Sequence, residues 1–137
     1  MTAPIWNQSN SNEIQQAAQS LVGKVQAVYI PTDNMLAAGM TTVTNVLNPA
    51  KIPVVAGESG MVGKGGIATY GINYYKLGQQ TAAMAVKILK GKAKPADMPI
   101  EYQKDMDVTV NQNVAKQLGI TLPRALFAKA SSPASSN

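Results

Sequence analysis

The sequence predicts an α/β fold with a parallel sheet flanked by helices. Short, β-rich apolar runs alternate with longer segments whose apolar residues recur at helical spacing, and proline or glycine separates the two kinds of segment. Such an alternation is typical of βα units, which build parallel sheets through right-handed crossovers. The chain has 137 residues, which is enough for one domain with its own core.

The first half of the chain is predicted to contain two helix–strand pairs, in the order helix 10–22, strand 25–30, helix 33–48 and strand 52–56. The first helix has one apolar stripe at the spacing of a buried helix face: Ile14, Ala17, Ala18, Leu21 and Val22. The run after it is apolar and β-rich, as in a buried parallel strand, and Pro31 ends it. Asp33 or Asn34 is suited to cap the second helix.

The second half begins with a glycine-rich loop over residues 57–66, and its elements follow as strand 67–72, helix 74–89, strand 107–110 and helix 112–118. The helix over 74–89 has the clearest periodicity, with Leu77, Met84 and Ile88 on one stripe. Gly91 is suited to end this helix, and Gly119 the next one. The serine-rich end of the chain is predicted to be disordered.

The composition excludes several kinds of chemistry. The chain has no cysteine and no histidine, which removes disulfides, thiol nucleophiles, zinc sites of the Cys/His type and Ser-His catalysis. We therefore predict no catalytic residues and no enzyme activity, and we expect no cofactor. Asp105 and Asp107 lie two residues apart on a predicted strand, but no third ligand joins them at suitable spacing, so no metal site is predicted.

The charge pattern does not favour a nucleic-acid partner. The net charge of +5 comes from scattered lysines and one arginine. The densest basic stretch, residues 87–94, ends a predicted helix, where cations complement the helix dipole. No apolar run is long enough to span a membrane. The first residues have neither a basic start nor an apolar core segment, so we expect no export signal in this sequence.

Three loops are candidates for a ligand site because, in open α/β sheets, ligands bind beyond the carboxyl ends of the strands. They bring short polar side chains: Asn10 and Ser11 at the start of the first helix, Thr32, Asp33 and Asn34 after the first strand, and Glu58 and Ser59 after the second. Asp33 or Glu58 would suit an ammonium group, and the hydroxyls and amides a carboxylate. Helix capping is an alternative that explains Asn10 and Asp33 without a ligand.

The glycine-rich loop does not match a phosphate-binding P-loop. Glu58 stands where the first glycine of that motif belongs, and Gly65 stands where its serine or threonine belongs. Tyr70 and two further tyrosines lie where a strand turns into the long helix. Their rings either cover the edge of the sheet or stack on a ligand, and the sequence leaves both open.

Several blocks of the sequence resemble the ABC-transporter substrate-binding proteins, a family that includes tryptophan- and tyrosine-binding members. The similar blocks are residues 10–21 (NSNEIQQAAQSL), 29–34 (YIPTDN), 68–78 (ATYGINYYKLG) and 94–99 (KPADMP). The likeness runs from about residue 9 to residue 123, which is most of the chain.

The resemblance implies a two-lobed protein of the periplasmic-binding type, with flavodoxin-like lobes that close on a solute like a hinge. Residues 1–123 would be the C-terminal part of such a protein, with about 72–100 crossing toward the first lobe and 124–137 as a tail. The ligand would be an amino acid such as tryptophan or tyrosine, and the partner an ABC permease. Asp33 would line the cleft, with the Glu58 loop and the loop before the first helix in its wall. Family members work in the periplasm or as cell-surface lipoproteins.

Family members are much longer than this chain, so the resemblance implies an incomplete fold that lacks most of the first lobe. A cleft with one wall loses the enclosure that makes small-ligand sites tight, so we expect the chain alone to bind weakly or not at all. The helix over 74–89 would also expose its apolar stripe, which favours self-association or domain exchange.

Two other classes of protein remain open at this point. One is a stand-alone flavodoxin-like single domain, with all strands in one sheet, that binds a nucleotide or acts as an interaction module. Copurifying flavin or nucleotide absorbance would support it. The other is a small α/β enzyme with Asp33 and Glu58 as an acid/base pair, which the lack of histidine and of any complete motif disfavours.

Overall fold

A five-stranded sheet organises the chain in the computed structural model, which describes residues 13–127 and 130–131. The elements are α1 (Ile14–Leu21), β1 (Val28–Ile30), α2 (Asn34–Leu47), β2 (Val54–Ala56), α3 (Ser59–Gly63), β3 (Ala68–Gly71), α4 (Tyr74–Leu89), β4 (Asp107–Val110), α5 (Gln112–Leu118), α6 (Arg124–Phe127) and β5 (Ala130–Ser131). Each helix and strand predicted from the sequence is present. None of the described helices has the length and apolar run needed to cross a bilayer.

The sheet has the strand order β1-β2-β3-β4-β5, and its first three strands are parallel, with Val28 opposite Val54 and Val55 opposite Ala68. This confirms the α/β class with a mainly parallel sheet. Two strands run opposite to the first three: β4 is antiparallel to β3, so that Gly71 pairs with Asp107, and β5 is parallel to β4. The reason is that α4 extends away from the sheet instead of packing across one of its faces. The chain therefore re-enters the sheet at the end of β3, where it had left, and β4 runs back alongside β3.

The main core lies on one face of the sheet, under α1, α2 and α3. Its buried residues are Ile14, Ala18, Leu21, Ile30, Met40, Val43, Leu47, Ile52, Val54, Ala56, Met61 and Val62. A smaller cluster joins α5 to the start of β3 through Ile67, Val114, Ala115 and Leu118. Gly119 ends α5 in the left-handed conformation, as its position in the sequence predicted.

Two segments form elements that the sequence did not predict. The glycine-rich loop contains the short helix α3, because Glu58 caps it and it buries Met61 and Val62 against the core. The Thr44 hydroxyl donates to the Lys64 carbonyl at 2.8 Å and ties the end of this helix to α2. The elements α6 and β5 lie in the segment predicted as a tail, and β5 pairs with β4. The end predicted to be disordered began at Ser131, which instead belongs to β5, and its remaining residues, 132–137, lie outside the described residues.

The helix α4 and residues 90–106, here called the arm, project from the body of the molecule. No residue of α4 is buried. Its apolar residues are open to solvent together with those of the returning segment: Val86, Ile88, Leu89, Ile100 and Tyr102. The arm is held together by polar contacts, since Gln80 Nε2 donates to Glu101 Oε2 at 3.0 Å and to the Tyr102 carbonyl at 3.1 Å. The stripe predicted for this helix is only partly exposed, since Ile88 is open to solvent whereas Leu77 and Met84 are half-buried.

Candidate functional site

The carboxyl ends of β1, β2 and β3 lie side by side and bring the predicted loops together. A Cβ atom on Gly57 would lie 2.6 Å from the Thr32 backbone nitrogen, so the loop after β2 touches the loop after β1. A Cβ atom on Gly71 would collide with the Gly57 carbonyl oxygen, so the end of β3 touches the loop after β2. Only glycine permits approach this close. We call this surface, formed by residues 31–34, 57–59 and 71–72, the strand-end edge.

Asp33 begins α2 at the strand-end edge and acts as its N-cap. Its backbone is extended, and its Oδ1 accepts a hydrogen bond from the Leu36 backbone N–H at 2.8 Å. The capping alternative considered for this residue is thus confirmed. Oδ2 has no hydrogen-bond partner among the described residues, and the side chain is exposed. The cap therefore leaves one carboxylate oxygen facing solvent, where a cationic group can reach it.

Glu58 occupies the equivalent place before α3, but both of its oxygens are engaged. Oε2 accepts from the Gly60 N–H and Oε1 from the Met61 N–H, each at 2.7 Å. The side chain is half-buried. Because each oxygen already accepts a backbone donor, Glu58 is less available to a ligand ammonium than Asp33. Glu58 therefore acts mainly as the N-cap of the short helix α3.

The remaining predicted site residues fall into three groups. Thr32, Asn34 and Ser59 lie at the strand-end edge and are exposed. Tyr70 precedes Gly71 on β3, and strand alternation places its ring on the side of the sheet away from α2 and α3. Asn10 and Ser11 lie outside the described residues.

A polar cluster that sequence reasoning missed lies where the chain leaves β3 and returns to β4. Asn73 caps α4 by accepting from the Lys76 N–H at 3.0 Å, and its Nδ2 donates to Asp107 Oδ2 at 2.6 Å. Lys76 Nζ donates to Asp107 Oδ1, also at 2.6 Å. The Asn73 N–H donates to Gln103 Oε1 at 3.1 Å. These contacts join the start of α4 to the segment that returns to β4.

The ion pair between Lys76 and Asp107 moves the pKa values of both side chains away from neutral pH. The hydrogen bonds from Lys76 and then Asn73 hold the pKa of Asp107 below its ordinary value of 3.8. The hydrogen bond to Asp107 raises the pKa of Lys76 above 10.5. Since Asp107 binds its proton less readily in the folded protein, its contribution to stability is present above about pH 3.8 and is lost as the pH falls through the lowered pKa.

We therefore expect Asp107→Asn to cost stability at neutral pH and progressively less in acid. The difference in free energy of unfolding between this variant and the parent should shrink as the pH falls below 3.8. Urea unfolding from pH 7 to pH 2 measures it. Asp97→Asn, in the 3₁₀ turn Pro95–Asp97, is the matched control. A constant difference at every pH would contradict the assignment of the effect to the Asp107 charge.

Two other places were considered for a site. An open depression of about 280 Å³ lies along the arm, lined by Lys76, Gln80, Gln103, Lys104 and Asp105. Lys76, Gln80 and Gln103 already make the hydrogen bonds that join α4 to the returning segment, which explains their position without a ligand. Among residues 13–127 and 130–131, no group of three or more metal-ligating side chains comes together. The strand-end edge is therefore the better candidate.

The chain is similar to proteins that bind solutes. The family model for ABC transporter substrate binding proteins matches residues 5–133. A tyrosine-binding protein from Clostridioides difficile (strain R20291) is 39% identical over 110 residues, which make up 80% of this chain and 32% of that protein. The chain thus spans about a third of the length of the curated relatives it matches.

Solved structures show the same partial coverage. A domain from Streptococcus pneumoniae in complex with L-tryptophan superimposes with a TM-score of 0.80 at 35% identity. A ligand-free, open substrate-binding protein with adhesive properties from Clostridium difficile gives 0.71 at 45% identity. Each match covers 90% of this chain and 41% of the other. The relatives therefore contain a large amount of polypeptide that has no counterpart here.

Proposed function

Because the chain belongs to the ABC transporter substrate-binding protein family, we propose that it forms one wall of a cleft that captures a small solute for an ABC importer. The observation that carries this proposal is the strand-end edge, where three loops after parallel strands meet and Asp33 keeps a carboxylate oxygen open to solvent. The arm supports the same reading, because its exposed apolar residues suit contact with a second lobe.

The proposed solute is an amino acid of the tyrosine or tryptophan type. The free oxygen of Asp33 would bind the ammonium group, and the exposed hydroxyls of Thr32 and Ser59 would bind the carboxylate. The relatives named for tyrosine binding and for a complex with L-tryptophan support an aromatic side chain. Tyr70 would contribute only if the second wall reaches around the sheet, because its ring faces away from the loops.

The proposed partner is an ABC permease, to which a closed two-lobed protein delivers its solute. Proteins of this family typically act outside the cytoplasm, and we propose the same location for this activity. The family is one of solute binders, and the described residues bring together no complete catalytic motif, so we propose no catalysis.

The test of this proposal is a hybrid protein. The chain replaces the matched 41% of the Streptococcus pneumoniae relative, and tryptophan and tyrosine are titrated by calorimetry. We expect saturable binding by the hybrid and little or none by the chain alone, because enclosure by two walls makes small-ligand sites tight. Sub-micromolar binding by the monomeric chain alone would contradict the two-wall requirement. A well-folded hybrid that binds no amino acid would contradict the solute class.

Asp33 variants separate capping from ligand binding. Asparagine caps a helix about as well as aspartate, so Asp33→Asn should keep the melting temperature while removing the charge. In the hybrid we expect its affinity for an aromatic amino acid to fall by about tenfold or more, because a charge-assisted hydrogen bond is lost. Asp33→Ala should lose affinity and also about 1 kcal/mol of stability. Unchanged affinity in Asp33→Asn would remove this residue from the site.

A further inference from the structure

The far end of the arm carries more than half of the chain's net positive charge. Residues 87–97 contain four lysines and one acid, Asp97, which gives this segment a net charge of +3 within a chain of +5. No other acid lies between Glu58 and Glu101. The four lysine side chains, here called the lysine tip, are all exposed: Lys87, Lys90, Lys92 and Lys94. A positive patch of this kind attracts anions unless the fold itself neutralises it.

The backbone at the end of α4 gathers these lysines. Gly91 has a φ of 66° and ends the helix in the left-handed conformation. The Lys92 N–H donates to the Lys87 carbonyl at 2.9 Å, so the chain folds back beside the last turn of the helix. Charges this close act together on a partner, because the screening length at physiological salt is about 8 Å.

The fold does not use the charges of the lysine tip. In the described part of the chain none of the four side chains makes a hydrogen bond or an ion pair, whereas Lys51 and Lys64 each donate to a backbone carbonyl. The helix dipole explains Lys87, which lies in the last turn of α4. It does not explain Lys92 and Lys94, because they follow the end of the helix and the dipole effect is confined to its last turn.

The lysine tip points away from the apolar residues at the same end of the arm. Successive residues of a helix are rotated by about 100°, so Lys87 and Lys90 lie on one side and Ile88 and Leu89 flank the opposite side. A second lobe that covers the apolar residues would therefore leave the lysines exposed. The 16 residues of α4 extend over about 24 Å, so the tip lies far enough from the sheet for a flat surface to reach it.

We propose that the lysine tip binds the anionic surface of a phospholipid bilayer. Lysine is a point charge on a flexible stem, which suits a layer of phosphate head groups with no fixed geometry. The tip is the projecting end of a helix, and the depression along the arm is lined by other residues, so its shape suits a flat surface. A nucleic acid is less suited, because the tip has no arginine for bidentate contacts to phosphate and no interleaved aromatic residue for stacking.

Bilayer binding goes beyond the capture of a solute. It would hold the protein at the surface in which the proposed permease is embedded, so that a loaded protein would meet its partner by moving along a plane. The lysine tip and the strand-end edge lie at opposite ends of α4, because this helix starts at the end of β3. The lysine tip can therefore bind lipid whether or not a solute is bound.

The test is cosedimentation of the whole chain with lipid vesicles, with no amino acid added. Anionic vesicles contain one part phosphatidylglycerol to two parts phosphatidylcholine, and vesicles of phosphatidylcholine alone are the neutral control. The tip variant combines Lys90→Gln, Lys92→Gln and Lys94→Gln, which all follow the last residue of α4. Each lysine near an anionic surface contributes about fivefold to binding, so the tip variant should bind the anionic vesicles about a hundredfold more weakly than the parent.

A matched body variant separates the lysine tip from the net charge of the chain. It combines Lys24→Gln, Lys104→Gln and Lys116→Gln, which removes the same number of exposed lysines outside the tip. We expect it to lose less than about fivefold, because charges more than a screening length from the bilayer contribute little. Both variants should melt with the parent. If the tip variant melts earlier, Lys94→Gln alone decides, with an expected loss of about fivefold.

The parent should bind anionic vesicles and not neutral ones, and about 0.5 M salt should release it, because the screening length then falls. Equal binding to both kinds of vesicle would assign the contact to the apolar residues of the arm and overturn the proposal. So would an equal loss in the two variants, a lack of binding to anionic vesicles, or tighter binding to a DNA duplex than to vesicles. Amino-acid binding is measured separately in the hybrid, so the proposed function and the lipid contact can fail independently.

Discussion

Gly71→Ala is expected to destabilise the protein by about 1–3 kcal/mol, the usual cost of forcing an extra carbon into packed surroundings. The added Cβ would press on the Gly57 carbonyl oxygen and lie 2.6 Å from the Thr69 hydroxyl oxygen. Gly57 is itself held against Thr32, so its loop has little room to move away. The same crowding is therefore expected to displace the loops of the strand-end edge.

Gly78→Ala is the matched control for this substitution. Gly78 lies in the exposed helix α4, and no atom lies within 4 Å of the place where its Cβ would go. Alanine should stabilise the helix there by about 0.5–1 kcal/mol. Urea unfolding of both variants measures the contrast. In the hybrid protein, Gly71→Ala should also weaken amino-acid binding. A Gly71→Ala variant as stable as the parent would show that the strand ends are not packed as described.

Local patterns in the sequence predicted the elements whose causes are local. The bounds of α4, β4 and α5 agree with the predictions, because periodicity, capping residues and following glycines all lie within a few residues of each end. Asp33 or Asn34 was predicted as the cap of α2 for the same reason, and the structure shows that Asp33 is the cap. The helix α3 was missed because it has only five residues, two of them glycine, and its two buried side chains are too few to show a helical periodicity.

Features that depend on residues far apart in the sequence could not be predicted from local patterns. The direction of β4 depends on where the arm returns, and no residue of β4 encodes that. Lys76 and Asp107 are 31 positions apart, and each alone reads as an ordinary exposed charge. The close approach of Gly57 and Gly71 likewise needs the sheet register. For the site, the sequence supplied the polar candidates, while the structure distinguished the free oxygen of Asp33 from the engaged oxygens of Glu58.

The arrangement of the arm also bears on the alternative of a stand-alone single domain. In such a domain, each helix would cover the sheet or another helix. Here α4 has no buried residue and joins the body through the polar cluster around Asp107. A helix of this kind is explained by a surface outside the chain that covers it. The arm therefore favours the two-lobed family architecture over the flavodoxin-like alternative.

Leu47→Ala is expected to have the largest effect of any single change considered, a loss of about 2–5 kcal/mol in the free energy of unfolding. Leu47 is fully buried in the core under α2, and a cavity would remain among side chains that are held on all sides. Leu89→Ala is the matched control, because Leu89 is 85% exposed at the end of α4. Its loss should change stability by no more than about 0.5 kcal/mol.

The pair of leucine variants distinguishes the body from the arm in two contexts. In the chain alone, only Leu47→Ala should lower the midpoint of urea unfolding. In the hybrid protein, where a second lobe can cover the arm, Leu89→Ala should become destabilising by about 1 kcal/mol or more, since its apolar surface is then buried. A contrary outcome would be that Leu89→Ala already lowers stability in the chain alone, and does so more at higher protein concentration. The arm would then be covered by another copy of the chain. Self-association would replace the second lobe as the explanation of the arm's apolar surface.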